Sequence, residues 1–406
     1  MIGKIKEQVS QHKLPFLLAF VAVATIVGPL APIFNTNVYY AAMGLFVLCS
    51  LGRGRFTINF TYILLILGAV ASLTFNNIPP VFEAWSRLVF FVLMSIPISP
   101  MIENNLLRTN RLKALNFMLW FSVAVALASF ACYLLGINYM VNFVTGDNAV
   151  NNAGWFGGIT VHSMLMGPVS ALGATFMTWY ATGHVFKISR NRIIAYVCIF
   201  ICVASAMLSA SRGSTVAAIV GCGVVYLFRK GKSGPKVAGA LISFLFIVLI
   251  AQPLLEPFSD MVMQKQYENI ELGGTFSSRS NKWENRMDEF ASSPIIGSGF
   301  CTVSIDSHDF TYGGIVETGT SWLSVLSMLG LVGAVCIWKI VFDPAWKLCK
   351  TMNRTDVLFM GIFCVFLLHM ATEGYIFAGG NFMFFYFWLF VGAMHAYRKT
   401  SNYTFF

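Results

Sequence analysis

Four arginines, Arg87, Arg212, Arg279 and Arg286, stand apart from the clusters that hold most of the chain's basic residues. A guanidinium stays charged and presents a planar fork of donors that matches phosphate oxygens. A group of them on one face points to an anionic ligand, with a lipid diphosphate an obvious case. Taken singly, each has a competing use: Arg87 could pair with Glu83 at i, i+4, and any of them could bind ordinary lipid headgroups. Two acid–base candidates accompany them, His308 and Glu317. His308 lies between Asp306 and Asp309, which would raise its pKa if they are close in space and so make it a slower base at neutral pH. Glu317 ends a long polar stretch and is its rival. His162 and Trp283 are candidate substrate contacts; packing is the competing use of His162. His369 and Glu373, four apart, read as a local pair, and His12, His184 and His395 fall away from this group. Histidines scattered in this way, with no CxxC among the nine cysteines, argue against zinc.

The elements that must hold these residues are membrane helices. Of 406 residues, 57% are hydrophobic and only 11% charged, and the mean hydropathy is +0.71. Soluble domains carry about 25% charged residues. Apolar runs predict an all-α integral membrane protein of about twelve transmembrane helices in a single polytopic domain, residues 1–406. The expected spans are 14–34, 38–52, 57–76, 81–99, 112–136, 161–183, 191–210, 214–229, 236–254, 320–342, 355–372 and 377–397. The first reads as a retained helix and not a cleaved leader.

Charge tests that map. With the N-terminus placed in the cytoplasm, all but six of the 27 Lys and Arg fall in inner segments. The six are Arg87, Arg212, Lys265, Arg279, Lys282 and Arg286, and all lie at or near the outer face. Both termini are therefore expected inside, and the formal charge of +10 is mostly topology and not nucleic-acid binding. Arg212 sits in an apolar run too long for one crossing. Gly213, Ser214 and Thr215 suit a turn and a helix start there, which puts Arg212 at the outer junction of the seventh and eighth spans.

The outer face has three substantial loops: Gly136 to about Thr160, about 255–319, and "TEGYIFAGGN" (372–381). The long loop between the ninth and tenth spans holds ten of the chain's 17 acidic residues. Within it, "KWENRMDEFASSP" predicts a short amphipathic helix stopped by Pro294. Trp283, Met287 and Phe290 share one face, and Arg279, Lys282 and Arg286 an adjoining one. Such a helix could cover a membrane-level cavity, or lie in the interface held by its aromatic residues.

Four stretches, in order, resemble the O-antigen ligase and O-antigen polymerase superfamily, the Wzy/WaaL-like membrane glycosyltransferases: "WFGGITVHSMLMGP" (155–168), "LSASRGSTVAAIV" (208–220), "SSRSNKWENRMDEFASSPIIGSGF" (277–300) and "GTSWLSVLSMLGLVG" (319–333). The resemblance covers roughly residues 155–333. It implies a GT-C-like, metal-independent and cofactor-free transferase in a bacterial inner membrane, with its active site and long loop on the periplasmic side. The donor would be an undecaprenyl-diphosphate-linked oligosaccharide. The acceptor would be a glycan, as in repeat-unit polymerisation, or lipid A–core, as in ligation, and a chain-length regulator is a conceivable partner. Arg212 and Arg279 would bind the donor diphosphate, with Arg286 and Arg87 alongside. One departure matters: ligases of the family commonly carry a His-Asn pair just before the closing helix, and the corresponding place here is near Gly319–Thr320, without histidine. His308 lies earlier in the loop. This favours a polymerase. The reading from another class is a lipid-linked glycan flippase or secondary transporter, and an export scaffold without chemistry is a third. Transporters more often show repeat-related halves and binding residues at mid-membrane, whereas the polar residues here gather on one face.

Overall fold

The computed structural model describes residues 2–51, 56–140, 156–183, 189–229, 277–304 and 318–400. The helices are α1 (Ile2–Ala24), α2 (Thr36–Leu51), α3 (Phe60–Phe75), α4 (Ala84–Ile98), α5 (Asn105–Leu134), α6 (Ser163–Thr182), α7 (Ser189–Leu208), α8 (Arg212–Phe228), α9 (Ser277–Ser292), α10 (Ser321–Ile337), α11 (Asp343–Thr351), α12 (Arg354–Thr372) and α13 (Phe382–Lys399). A two-residue antiparallel pair, β1 (Thr57–Ile58) with β2 (Ile102–Glu103), joins the start of α3 to the start of α5. Among the described residues, five segments are long and apolar enough to cross a membrane: Pro80–Ile98, Asn105–Leu134, Asn191–Leu208, Ser321–Thr351 and Arg354–Thr372. The chain is thus an all-α membrane protein. The expected span at 236–254 lies outside the described residues.

Several boundaries differ from expectation, α13 for one starting at Phe382 and not at 377, and two show their cause. The first apolar run does not stay helical to residue 34. α1 ends at Ala24, ahead of Gly28, Pro29 and Pro32, and the chain turns back. Val27 bridges Thr160, with Gly28 N donating to Ile159 O at 2.7 Å and Val161 N to Ile26 O at 2.9 Å. α5 starts seven residues earlier than its apolar run, because Asn104 caps it by accepting from Leu107 N at 2.7 Å.

The core depends on small residues and rings. α6 is buried along nearly its whole length, and its glycines let neighbouring helices come close: Gly167 faces Ser209 and Ser214, and Gly173 meets the Ser122 backbone. α13 carries Phe384, Phe385, Phe387, Trp388 and Phe390 into the interior, where aromatic edges and faces interlock with Phe91 and Phe366.

Contacts far apart in sequence define two ends of the bundle. At one end, Glu103 pairs with Arg108 at 3.1 Å and with Lys399, and Tyr397 donates to Asn353 at 3.1 Å. Arg111, counted from sequence among the loop cations, is fully buried there. It donates to the carbonyls of Pro97 (2.8 Å), Ile96 (3.0 Å) and Ile102 (2.8 Å), which satisfies groups left open where α4 ends. Burial alone would raise the pKa of Glu103, but Lys399 and Arg108 more than offset it and hold the carboxyl below its usual range. A depressed pKa stabilises the fold above the unfolded value and loses that contribution as pH falls through the folded one. Thermal stability should therefore drop between about pH 5 and pH 3 more steeply in the wild type than in Glu103→Gln, as melting curves across that range would read.

The other end gathers the residues of interest, and it is shaped by a break in α10. Gly330 has φ 59° and ψ −158°, a conformation essentially restricted to glycine. The segment after α9 docks into this break through main-chain bonds: Leu331 N donates to Pro294 O (2.9 Å), Val332 N to Ile295 O (3.2 Å), and Ser298 N to Ser327 O (2.7 Å). From α3, Ser72 Oγ donates to Met328 O (2.7 Å), and Asn76 Nδ2 to Gly297 O (2.8 Å). Irregular backbone in an apolar helix is tolerable only when its polar groups are satisfied by protein in this way.

Candidate functional site

A cavity of about 380 Å³ opens at this end. Three helices begin at its rim. Arg87 lies in the first turn of α4, Ser324 in the first turn of α10, and Asn381 is the N-cap of α13, accepting from Met383 N at 2.7 Å. Each helix start carries a partial positive charge, so the rim favours an anion even before Arg87 is counted.

One wall is the short loop before α13, Gly374 to Asn381. Side chains from neighbouring helices hold it. Ser321 Oγ donates to Glu373 O at 2.7 Å and accepts from Tyr375 N at 3.0 Å, and Trp388 Nε1 donates to Ile376 O at 2.9 Å. His369 Nδ1 meets the Tyr375 hydroxyl at 3.2 Å, so the partner found for His369 lies in this loop. Cys301 also lines the cavity and donates weakly to Phe377 O at 3.7 Å. Burial pushes its thiol up to about 12, with Arg87 pulling the other way, so it stays a neutral wall group and not a nucleophile. Sequence reading assigned no role to Tyr40, Cys301, Thr318 or the loop backbone here. The run Gly379, Gly380, Asn381 before α13 is the one signal that could have marked a close backbone approach and a helix start; the expected span of 377–397 ran through it.

The Arg212 junction stands next to this wall. α7 ends at Leu208, and Ala210 takes a positive φ of 52°. Ser211 then caps α8 by accepting from Ser214 N at 3.3 Å, which makes Arg212 the first helical residue. Gly213 packs so closely on Thr372, at the end of α12, that a Cβ would come within 2.7 Å of the Thr372 hydroxyl. Two residues on, Gly374 meets Thr318 and lines the cavity. The Arg212 junction and the Arg87 cavity are thus neighbours through residues 372–374.

α9 supplies the remaining cations. It starts at Ser277, ahead of the Lys282 start read from sequence, and stops before Pro294 as the sequence predicts; Arg279 falls in its first turn. The Arg279 side chain lies outside what is described. Lys282, one turn on, packs against Gly319 just before α10. Arg286 is fully buried and forms an ion pair with Glu289 at 2.8 Å; the same carboxylate oxygen accepts from Ser304 N at 2.7 Å. Arg286 therefore braces α9 against residues 302–304, and it is not among the residues that line the Arg87 cavity. Trp283 (39% exposed) and Met287 (47%) lie on the outward face of α9. His162 caps α6, its Nδ1 accepting from Met164 N at 3.1 Å, and His395 meets Ile340 O at 2.8 Å at the far end. His308 and Glu317 lie outside the described residues. Among those described, no three His, Cys, Asp or Glu side chains converge as a metal site.

Comparison with known proteins adds one match. Residues 197–338, which run from α7 through α10 and contain both the Arg212 junction and α9, match the family model described as O-antigen ligase. The resemblance read from the ordered motifs is borne out over this segment. No curated protein matches the chain.

Proposed function

On the premise that the chain carries an O-antigen ligase-type segment, we propose that it is a bacterial inner-membrane glycosyltransferase taking glycan from an undecaprenyl-diphosphate carrier at the periplasmic face. Both termini are then cytoplasmic, in keeping with the charge map. One observation carries the reading: Arg87 and three helix N-termini surround a single cavity beside the Arg212 junction. That arrangement suits a diphosphate, and Arg212, Arg279 and Arg87 are its assigned donors. Arg286 serves them by holding α9 in place.

The chemistry is a displacement at the anomeric carbon. An acceptor hydroxyl oxygen forms the new C–O bond while the bond from that carbon to the phosphate oxygen breaks. The lipid diphosphate leaves with the electron pair, and a base takes the hydroxyl proton. Preorganised guanidiniums stabilise the charge that develops on the leaving oxygen. The base is His308 or Glu317; Glu317 directly precedes the cavity-lining Thr318 in the chain.

Two acceptors compete. The lack of histidine near Gly319–Thr320 favours polymerisation of repeat units, whereas the description of the matched family favours ligation to lipid A–core. Purified protein given lipid-diphosphate-linked oligosaccharide alone should yield longer lipid-linked glycans if it is a polymerase. Product that forms only after lipid A–core is added identifies a ligase. Neither product nor donor binding would sink both, and would return the transporter to first place.

A further inference from the structure

Residues 298–304 separate two cavities. Cys301 faces the one that holds Arg87, whereas Ser298, Thr302 and Ser304 face a second of about 600 Å³. Its volume lies within the range of ordinary ligand sites, about 300–1,000 Å³. Its roof is the underside of α9, where Asn285, Asp288, Glu289 and Ser292 fall at i, i+3, i+4 and i+7 on one face. Its floor is the turn before α4, with Asn77 beside the apolar Ile78 and Pro79.

The chemistry of this lining differs from that next door. No Lys or Arg is among its described lining residues, so it is not built for phosphate. Its polar atoms are amides that both donate and accept, hydroxyls that do the same, and carboxylates that accept. That is the complement of a ring bearing several hydroxyls, and Ile78 and Pro79 offer a surface for the ring's C–H face. Glu289 is 7% exposed and held by Arg286 and Ser304, which fixes one wall before any ligand arrives.

We propose that this second cavity is a saccharide subsite taking the uncharged, hydroxyl-rich end of the acceptor glycan, across the 298–304 wall from the anionic cavity. The assignment rests on the glycosyltransferase reading, because a transferase must hold an acceptor beside its donor. Neutral sugars fit, while acidic ones meet the Asp288 carboxylate and are disfavoured.

The test uses two probes on the full-length protein. One is the oligosaccharide released by mild acid from the lipid-diphosphate glycan of producing cells, followed by saturation-transfer NMR. The other is undecaprenyl diphosphate, followed by native mass spectrometry. The double variant Asn285→Ala/Asp288→Ala should bind the saccharide about tenfold or more weakly and undecaprenyl diphosphate as the wild type does. Ser292→Phe, which fills the cavity from its rim, should do the same. Saccharide binding retained in both variants overturns the subsite. So does loss of both ligands in both variants, which would assign these residues to folding. A wild type that binds the lipid but not the saccharide overturns the subsite and leaves the donor reading standing. The reverse pattern overturns the donor reading and leaves the subsite.

Discussion

Arg212→Ala and Arg279→Ala should each slow glycan transfer by about 10²–10³-fold, the usual cost of removing one preorganised donor from a developing oxyanion. The loss should appear in kcat at saturating donor, with the melting temperature of the purified protein close to that of the wild type. Arg212 begins α8 at a serine-capped turn, and the helix bonds that follow it do not use its side chain. Arg212→Lys keeps the charge and loses the fork, so it should recover only part of the rate. Initial rates on lipid-linked oligosaccharide measure all three. Full activity in both alanine variants would remove the diphosphate assignment.

The second large effect is on the fold. Gly330→Val should lose most folded protein on detergent extraction, with a destabilisation of about 3 kcal/mol or more, because two costs combine. The backbone at φ 59° and ψ −158° is closed to a β-branched residue. A Cβ there would also overlap the Ile295 carbonyl and crowd the Gly297 amide. The main-chain bonds that dock residues 294–298 on α10 would have to open. Gly44→Ala on α2 is the control: nothing lies within 4 Å of its Cβ position, so it should be neutral or stabilise by about 0.5–1 kcal/mol. Size-exclusion recovery and thermal melts of the two variants side by side read the contrast. Equal recovery would mean that the break in α10 is not a structural requirement.

What could be read from sequence follows from which forces leave a linear trace. Apolar runs mark helices because burial in lipid demands them, and so α3, α4, α6, α7, α8 and α12 were found close to their expected spans. The helix before Pro294 was legible from its period and its breaker, and the junction at Arg212 from Ser-Arg-Gly-Ser and the charge map. The break at Gly330 was not. A hydropathy window over 320–342 sees one uninterrupted apolar run, and the groups that satisfy the broken backbone come from Ser72 and Pro294, far along the chain. Arg286 shows the same limit. Its type and spacing on α9 suggested a ligand, and only packing shows its ion pair with Glu289, whose oxygen also takes the Ser304 amide. The cavity wall at 374–381 was hidden for a related reason: main-chain surface has no side-chain signature.

Because residues 294–298, just after α9, dock on α10 through peptide groups, and Glu289 braces the helix through Arg286 and Ser304, the distance between the two cavities is set by main chain and by this ion pair. The lining of the α9 underside at 285, 288 and 292 is therefore free to change during evolution without moving the arginines. On the proposed reading, a lineage can alter the sugars it accepts by point substitution on one helix face while the group-transfer geometry is inherited intact. Diversification of surface glycans would then be a matter of repainting a surface on a fixed frame.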